Sequence, residues 1–409
     1  MSEAWTVKRL GDVIVPCGTV DPTKEPDRLF RYVDVSGVSN ETFEIVEAQT
    51  IKGRDAPSRA RRQIRSGDVL FATIRPTLKR IAVVPPELDG EVCSTGYFVF
   101  RPHNGLDGKF LYYYLFTDGF LEAMEALQTG ASYPAVNDAQ VKDQKIAFPP
   151  LPEQKRIVAI LDEAFAGIAA ATANAEKNLA NARELFERYL NSVFAESAKG
   201  WVTRRLGDVF EIGSSKRILE TEWTSSGVPF YGGKEIVKLA RFGSVTSNAY
   251  ISEEKYHEYA SKYDMPRQGD ILMTARGTIG TGYVVRENDR FYYKDGNIIS
   301  LREKTPTDPD FVLYAFRSSV MADQLGQLTG TTVSHLPIQK AKTLILKMPD
   351  FARQKSIASN IRELEKEITN LEELYRRKLA ALSSLKQSIL QKAFSGDLTG
   401  IKTRHCEAA

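Results

Sequence analysis

The side chains with the most chemical potential in this chain are its clustered cations. Between Lys52 and Arg80 lie Lys52, Arg54, Arg59, Arg61, Arg62, Arg65, Arg75, Lys79 and Arg80, opposed only by Asp55 and Asp68, a surplus of seven positive charges in 29 residues. The whole chain has 409 residues with 55 basic and 52 acidic side chains, a net charge of +3, so the concentration is local. Such a patch suits a polyanion, because Arg and Lys neutralise phosphates and Arg also pairs bidentately with a guanine edge. A Thr-x-Arg triplet follows an apolar run twice, at Thr73–Arg75 and Thr274–Arg276.

Catalytic chemistry finds less support. Glu153-Gln154-Lys155 fits the second half of a PD…ExK nuclease motif, but the matching segment later in the chain has Arg353 where the glutamate would be. An acidic residue in a first helical turn is favoured by the helix dipole in any case. Gly277-Thr-Ile-Gly280-Thr-Gly282 looks like a phosphate-cradling loop, yet no GKS/T follows, and a β-turn is the expectation. A methyltransferase would need an acidic, glycine-rich cofactor loop and an NPPY-like tetrapeptide, and neither is found. Three cysteines (Cys17, Cys93, Cys406) and four histidines (His103, His257, His335, His405) lack metal-ligand spacing, so no metal site is expected. Their odd, scattered placement argues against a disulfide framework and fits a reducing cytoplasm. The longest uninterrupted apolar run, Phe110–Phe116, is far short of a membrane span, and Arg9 and Asp12 interrupt any N-terminal signal core. We expect no membrane segment.

The elements that must position the cations come in duplicate. Trp5-Thr-Val-Lys-Arg-Leu-Gly-Asp-Val13 returns as Trp201-Val-Thr-Arg-Arg-Leu-Gly-Asp-Val209, with six identities in nine positions. Arg65-Ser-Gly-Asp-Val-Leu70 returns as Arg267-Gln-Gly-Asp-Ile-Leu272, and Thr129-Gly130 as Thr329-Gly330. Pro149, Gln154, Lys155, Ile157 and Glu163 match Pro349, Gln354, Lys355, Ile357 and Glu363. Two diverged copies of a unit of about 200 residues follow from these ordered matches. Each copy opens with a mixed α/β globule. Short strands are predicted at FRYVDVSGV, GDVLFATI, RIAVVP, TGYFVF, GDILMTA, TGYVV and GNIISL, with helical stretches at Phe110–Leu127 and Phe311–Leu328.

Each copy then continues into a long helix. Leu161, Ile168, Ala175, Ala182 and Tyr189 recur every seven residues, as do Ala164, Ala171, Asn178, Leu185 and Ser192. The later copy has Ile361, Ile368, Tyr375, Leu382 and Ile389, with Leu364, Leu371, Lys378, Leu385 and Lys392. Sustained heptads predict coiled-coil seams, and an Ala-rich seam against a Leu/Ile-rich one predicts pairing within the chain. Pro152 suits a first turn, Asp350 an N-cap and Gly396 a stop. Roughly 40 helical residues would make a rod of about 60 Å, which, if the pair is antiparallel, would serve as a ruler between the globules.

Two globules, each followed by a long helix opening near Pro149-Pro150-Leu151-Pro152-Glu153-Gln154, resemble the specificity subunit of type I restriction–modification systems. The resemblance rests also on Arg65–Leu70 and Arg267–Leu272, on Thr129-Gly130-Ala131-Ser132, and on Ala393-Phe394-Ser395-Gly396-Asp397-Leu398, and it spans essentially the whole chain. The second helix departs from the pattern, reading Pro349-Asp-Phe-Ala-Arg-Gln354. The expected fold is α+β: target recognition domains at 1–150 and 200–349, helices at 151–199 and 350–397 forming an antiparallel coiled coil, and a tail at 398–409, all in an internal pseudo-two-fold repeat.

The resemblance implies a non-catalytic, DNA-binding subunit that reads a bipartite, asymmetric double-stranded target, one half per globule. It implies docking of two methyltransferase subunits and association with endonuclease–translocase subunits. S-adenosylmethionine, magnesium and ATP would then belong to those partners and not to this chain. The DNA-contact candidates are Arg59, Arg61, Arg62, Arg75, Lys79, Arg80, Ser132 and Tyr133 in the first copy, and Lys216, Arg217, Lys234, Lys238, Arg276 and Thr332 in the second. Arg59, Arg61 and Arg62 are expected on the DNA backbone, because three cations in four positions repel unless a polyanion compensates them. Arg75 and Arg276 are expected to read bases from a repeated turn. The competing class is a coiled-coil scaffold that touches only proteins, and the cation patch favours DNA.

Overall fold

The computed structural model describes residues 5–103, 105–195, 200–329 and 335–398. They divide into two compact units, Met1–Ala175 with Arg377–Ala409, and Glu176–Arg376.

Unit 1 contains strands β1 (Thr6–Arg9), β2 (Leu29–Val33), β3 (Gln49–Lys52), β4 (Ala60–Gln63), β5 (Val69–Ala72), β6 (Ile81–Val83), β7 (Val92–Ser94), β8 (Tyr97–Phe100) and β9 (Lys145–Phe148). Its helices are α1 (Gly108–Tyr114), α2 (Asp118–Leu127), α3 (Asp138–Lys142) and the first part of α4 (Leu151–Ala195). The strands form sheets ordered β3-β2-β7-β4 and β6-β5-β8, with β1 and β9 as a separate antiparallel pair. Strand β5 reads Val-Leu-Phe-Ala and is buried throughout, as a strand covered on both faces must be. Val69 and Phe71 face a core with Phe110, Leu111 and Phe120, while Leu70 and Ala72 face a second core with Ile64, Leu88 and Tyr97.

Unit 2 repeats the plan with additions. It holds β10 (Val202–Arg205), β11 (Phe210–Gly213), β12 (Val228–Tyr231), β13 (Tyr250–Ile251), β14 (Ile271–Thr274), β15 (Gly282–Val284), β16 (Tyr292–Tyr293), β17 (Ile298–Glu303) and β18 (Ile345–Met348). Its helices are α5 (Leu206–Val209), α6 (Gly233–Phe242), α7 (Glu253–Lys262), α8 (Pro309–Arg317), α9 (Ser319–Thr329), α10 (Ile338–Thr343) and the first part of α11 (Phe351–Ser395). Sheets run β11-β17-β14-β15 and β13-β12-β16, and β10 pairs with β18.

The two stretches expected as single helices each break into two, α1 with α2 and α8 with α9. Thr117 in extended conformation precedes α2, and the Ser318 hydroxyl donates to the Ala315 carbonyl at 2.7 Å, diverting the chain between α8 and α9.

Each long helix contributes to both cores. In unit 1, Ile157, Val158 and Leu161 of α4 and Leu390 and Ala393 of α11 are buried in one cluster. In unit 2, Ala182, Phe186, Leu190 and Phe194 of α4 join Ala358, Ile361 and Ile368 of α11. Within unit 2 the helices run antiparallel, with Arg183 bonded to Glu372 at 2.8 Å while Phe194 lies in the core with Ala358. Asp350 caps α11 by accepting from the Arg353 amide at 2.9 Å, and Gly396 ends it in the left-handed region at φ 82°.

The heptad reading holds only in part. Leu161, Ala175, Ala182, Ile361 and Ile368 are buried, but Leu185, Leu371 and Leu385 are exposed. The stripe Ala182–Phe186–Leu190–Phe194 advances by four residues instead of alternating three and four, because this half of α4 lies on the unit 2 core as well as on α11. By length and composition alone, α4 could cross a membrane, its most apolar window averaging a hydropathy of 1.4. It contains no long uninterrupted apolar run, because charged residues such as Asp162 and Glu163 break its alanine-rich sequence.

Candidate nucleic-acid interface

Two pairs of buried polar clamps support the surface, and each recurs in both units. Asp68, 2% exposed, accepts the Arg65 amide at 2.8 Å and the Arg101 guanidinium at 2.9 and 2.6 Å. Asp270 accepts the Arg267 amide at 2.9 Å and Arg302 at 3.2 and 2.8 Å. Hydrogen bonding to these carboxylates raises the pKa of both arginines above the usual value, against the opposing effect of burial. The Arg-x-Gly-Asp motif is therefore a scaffold, with Gly67 and Gly269 at φ 84° and 88° making the turn. Gln154 donates to the Pro149 and Gly105 carbonyls at 2.8 and 2.7 Å and accepts the Asp107 amide at 2.8 Å. Gln354 likewise donates to Pro349 at 2.9 Å and accepts the Asp308 amide at 3.0 Å. Asp107 and Asp308 cap α1 and α8, so each glutamine ties the start of a long helix to its globule.

The cation patch is less free than its sequence suggests. Arg62 holds Asp138 through two contacts of 2.9 Å, Arg61 lies 3.5 Å from Asp21, and Arg54 pairs with Asp27. Arg80 donates to the Ser36 carbonyl at 3.2 Å and to that of Val38. Asp21 and Asp138 thus supply the compensation expected from a polyanion. They lie 40 and 76 residues away in sequence, beyond the window in which the cations cluster. Arg59 is exposed at the turn leading into β4.

The structure gathers Arg75, Ser132 and Tyr133 into one feature. Arg75 and Lys79 adopt left-handed backbone conformations, φ 50° and 53°, on either side of the turn Pro76–Leu78. The Arg75 amide donates to the Pro134 carbonyl at 2.7 Å and its guanidinium to that of Ser132 at 3.2 Å. Its guanidinium also lies 5.1 Å from the ring centre of Tyr133, which is 71% exposed. A solvent-facing arginine braced by an aromatic ring and a carbonyl is preorganised to present its donor fork.

Among the described residues, unit 2 does not repeat this feature. Ile74 bridges Ala135 in unit 1, and Arg276 bridges His335 in unit 2. The Thr73 carbonyl accepts the Val136 amide at 3.0 Å, and that of Ala275 accepts Leu336 at 2.8 Å. Thr73 therefore corresponds to Ala275, Ile74 to Arg276, and Arg75 to Gly277, itself at φ 78°. The two Thr-x-Arg triplets are out of register by one residue, which corrects the expectation of a shared reading turn. Elsewhere in unit 2, Lys216 lies over Tyr263 at 5.8 Å and Arg217 pairs with Asp295 at 2.9 Å. Lys234 and Lys238 are exposed on α6, whose inner face buries Ile236 and Leu239. Thr332 lies outside the described residues.

Glu153 faces Arg156 at 3.6 Å in the first turn of α4. Among the described residues no cluster of three His, Cys, Asp or Glu side chains could hold a metal ion.

Comparison with known proteins gives a consistent picture. The family described as type I restriction modification DNA specificity domain matches the chain twice, over residues 2–179 and 198–378. A Haemophilus influenzae protein provisionally described as a type I restriction enzyme specificity subunit is 29% identical over 269 residues, 64% of this chain and 65% of that protein. The EcoBI specificity subunit of Escherichia coli is 24% identical over 324 residues, 71% of this chain and 66% of its own length. The chain thus spans just under two thirds of each of these two relatives. The HsdS subunit from Thermoanaerobacter tengcongensis is 30% identical with a TM-score of 0.67, covering 97% of both chains. A chain from a structure of type I R-M complex assembly and conformational transition is also 30% identical, with a TM-score of 0.81 over 97% of this chain and 98% of that one.

Proposed function

Because the chain belongs to the type I restriction modification DNA specificity family, we propose that it is the DNA-recognition subunit of such a system, reading a split, asymmetric duplex target with one half per unit. The long helices set the gap between the half-sites and dock two methyltransferase subunits, with endonuclease–translocase subunits completing the complex. The chain itself is not catalytic, and S-adenosylmethionine, magnesium and ATP are held by the partners. A cytoplasmic location goes with this reading.

The observation that carries it is a shared scaffold bearing unlike surfaces. The Asp68–Arg101 and Asp270–Arg302 clamps and the Gln154 and Gln354 ties recur in both units. The exposed turns built on them diverge, with Arg75 in the position that Gly277 occupies in the other copy. Like frames support reading of two similar lengths of duplex, and unlike surfaces support two different sequences instead of a palindrome. Backbone contact falls to Arg59, Arg61, Arg62, Lys79, Arg80, Lys216, Arg217, Lys234 and Lys238, and base reading to Arg75, Ser132 and Tyr133 in the first unit and Arg276 and Thr332 in the second. Reconstitution with the methyltransferase, followed by mapping of methylated adenines, tests the reading. A single bipartite motif supports it, and methylation without sequence preference overturns it.

A further inference from the structure

Strand β12 runs parallel to β16, with Phe230 opposite Tyr292 and Tyr231 opposite Tyr293. In unit 1, β2 and β7 make the same pairing, Tyr32 opposite Val92 and Val33 opposite Cys93. The segments leaving β2 and β12 differ. After Val33 the chain makes a short 3-10 turn, Val35–Gly37, whereas after Tyr231 it forms the ten-residue helix α6. The same place in the frame carries different elements in the two copies.

Helix α6 is built to be seen from outside. Its inner face buries Ile236 and Leu239 against Leu272, Tyr283 and Val285. Lys234, Lys238 and Arg241 are exposed at i, i+4 and i+7, one stripe about 10 Å long at 1.5 Å per residue. Apart from Arg241 lying 5.2 Å over the ring of Phe242, these three cations have no partner among the described residues. The only acid in the first turn, Glu235, is engaged by the Gly232 amide at 2.9 Å. Lys234 also sits in that first turn, where the helix dipole disfavours a cation, so local helix stability does not account for it. At the other end Phe242 is 66% exposed, directly before Gly243, which turns the chain at φ 72°. Arg286 lies beside Gly243, its guanidinium 5.6 Å from the ring centre of Tyr283. Unpaired cations in a row with an exposed aromatic at the end match a duplex, whose major groove is about 12 Å wide and admits an α-helix.

Resting on the DNA reading above, we propose that α6 is the major-groove reading helix of unit 2. Lys234 and Lys238 contact phosphates, Arg241 donates to a guanine edge, and Phe242 packs on a thymine methyl group. Arg241 and Phe242 are thereby specificity-determining residues, and unit 1, with only a 3-10 turn at this place, reads its half-site by other means.

The test uses the full-length chain and selection from a random duplex pool, with Arg241→Ala, Arg241→Lys, Phe242→Ala and the double variant Lys234→Ala, Lys238→Ala. Arg241→Ala is expected to lose about 5- to 140-fold of preference at one base pair of one half-site, Arg241→Lys part of that loss, and Phe242→Ala preference for thymine at an adjacent pair, leaving the other half unchanged. Arg241→Lys keeps the charge, so its salt dependence stays as in the unaltered chain. The double lysine variant keeps the preference but flattens the log–log salt slope by about 1.8. All four positions are exposed, and matching thermal unfolding curves verify that the variants fold. If the unaltered chain selects a bipartite sequence and every variant keeps both its preference and its slope, α6 is not the reading helix, though the DNA reading stands. If the unaltered chain selects no sequence, the DNA reading fails and this proposal falls with it.

Discussion

Phe394, near the C-terminal end of α11, packs its ring 4.8 Å from that of Phe110 in α1, inside the same core as Trp5. The corresponding contact in unit 2 is made by Phe194 of α4, 5.2 Å from Phe311. Each globule's core is thus completed by the far end of the helix that follows the other globule. Truncating Phe394 to Ala is expected to cost unit 1 about 3 kcal/mol, the range for large aromatic-to-alanine changes in cores. Hydrogen exchange checks this: amides of β5 and β8 should exchange faster while those of β14 and β17 keep their protection.

The Asp68–Arg101 pair is nearly dry, and removing one partner leaves the other charge buried. Asp68→Ala should therefore destabilise unit 1 by about 3–5 kcal/mol, and Asp270→Ala should cost unit 2 less, because Arg302 keeps Asp264 at 3.1 Å. Chemical denaturation of each variant measures the loss. A loss below about 1 kcal/mol would show that the motif is not the scaffold described.

Gln154, itself buried, satisfies three backbone groups, the Pro149 carbonyl buried and the other two partly so, and Gln154→Ala should cost about 1–3 kcal/mol through groups left unpaired. Gln154→Glu tests the same site differently, because a carboxylate cannot donate to the Pro149 and Gly105 carbonyls. Both variants should unfold at lower temperature than the unaltered chain, and an unchanged melting temperature for either would contradict the tie.

Glu372 accepts from Arg183 and Arg376, and the bond to Arg183 holds its carboxyl below the usual glutamate value of 4.5. A depressed folded-state pKa adds stability that is present above that usual value and is lost as pH falls through the lowered one. Acid titration of thermal stability should show this loss, and Arg183→Gln should remove most of it, in low salt more visibly than in high salt.

These elements were unequally legible in the sequence. The tandem repeat, the strands and the long helices could be read because Trp5 and Trp201, Gln154 and Gln354, and the Arg-x-Gly-Asp motifs keep order and spacing. Arg101 and Arg302 carried no signal, since nothing in a local window ties them to an aspartate more than thirty residues earlier. Greater separations, 40 and 76 residues, hid Asp21 and Asp138, so the cation patch read as unbalanced. Sequence matching placed Arg75 with Arg276, and only backbone pairing put Gly277 in that position. The seam failed where Leu185, Leu371 and Leu385 kept the heptad but the helix's buried stripe drifted away from them.

Arg62 and Arg75 separate positioning from reading. Arg62→Ala should lower stability through the loss of Asp138 pairing and weaken cognate and scrambled duplexes alike. Arg75→Ala, exposed and braced by Tyr133, should cost about 1–3 kcal/mol on the cognate sequence alone. A salt titration on both duplexes distinguishes the two, and equal losses on both duplexes for Arg75→Ala would remove it from the base-reading set.

The most direct measurement exchanges residues 1–150 for the same segment of another family member and maps adenine methylation by the reconstituted complex. One half of the target should change, while the other half and the gap between them stay as they were. A swap that rewrote both halves, or that altered the gap, would contradict separate reading by the two units.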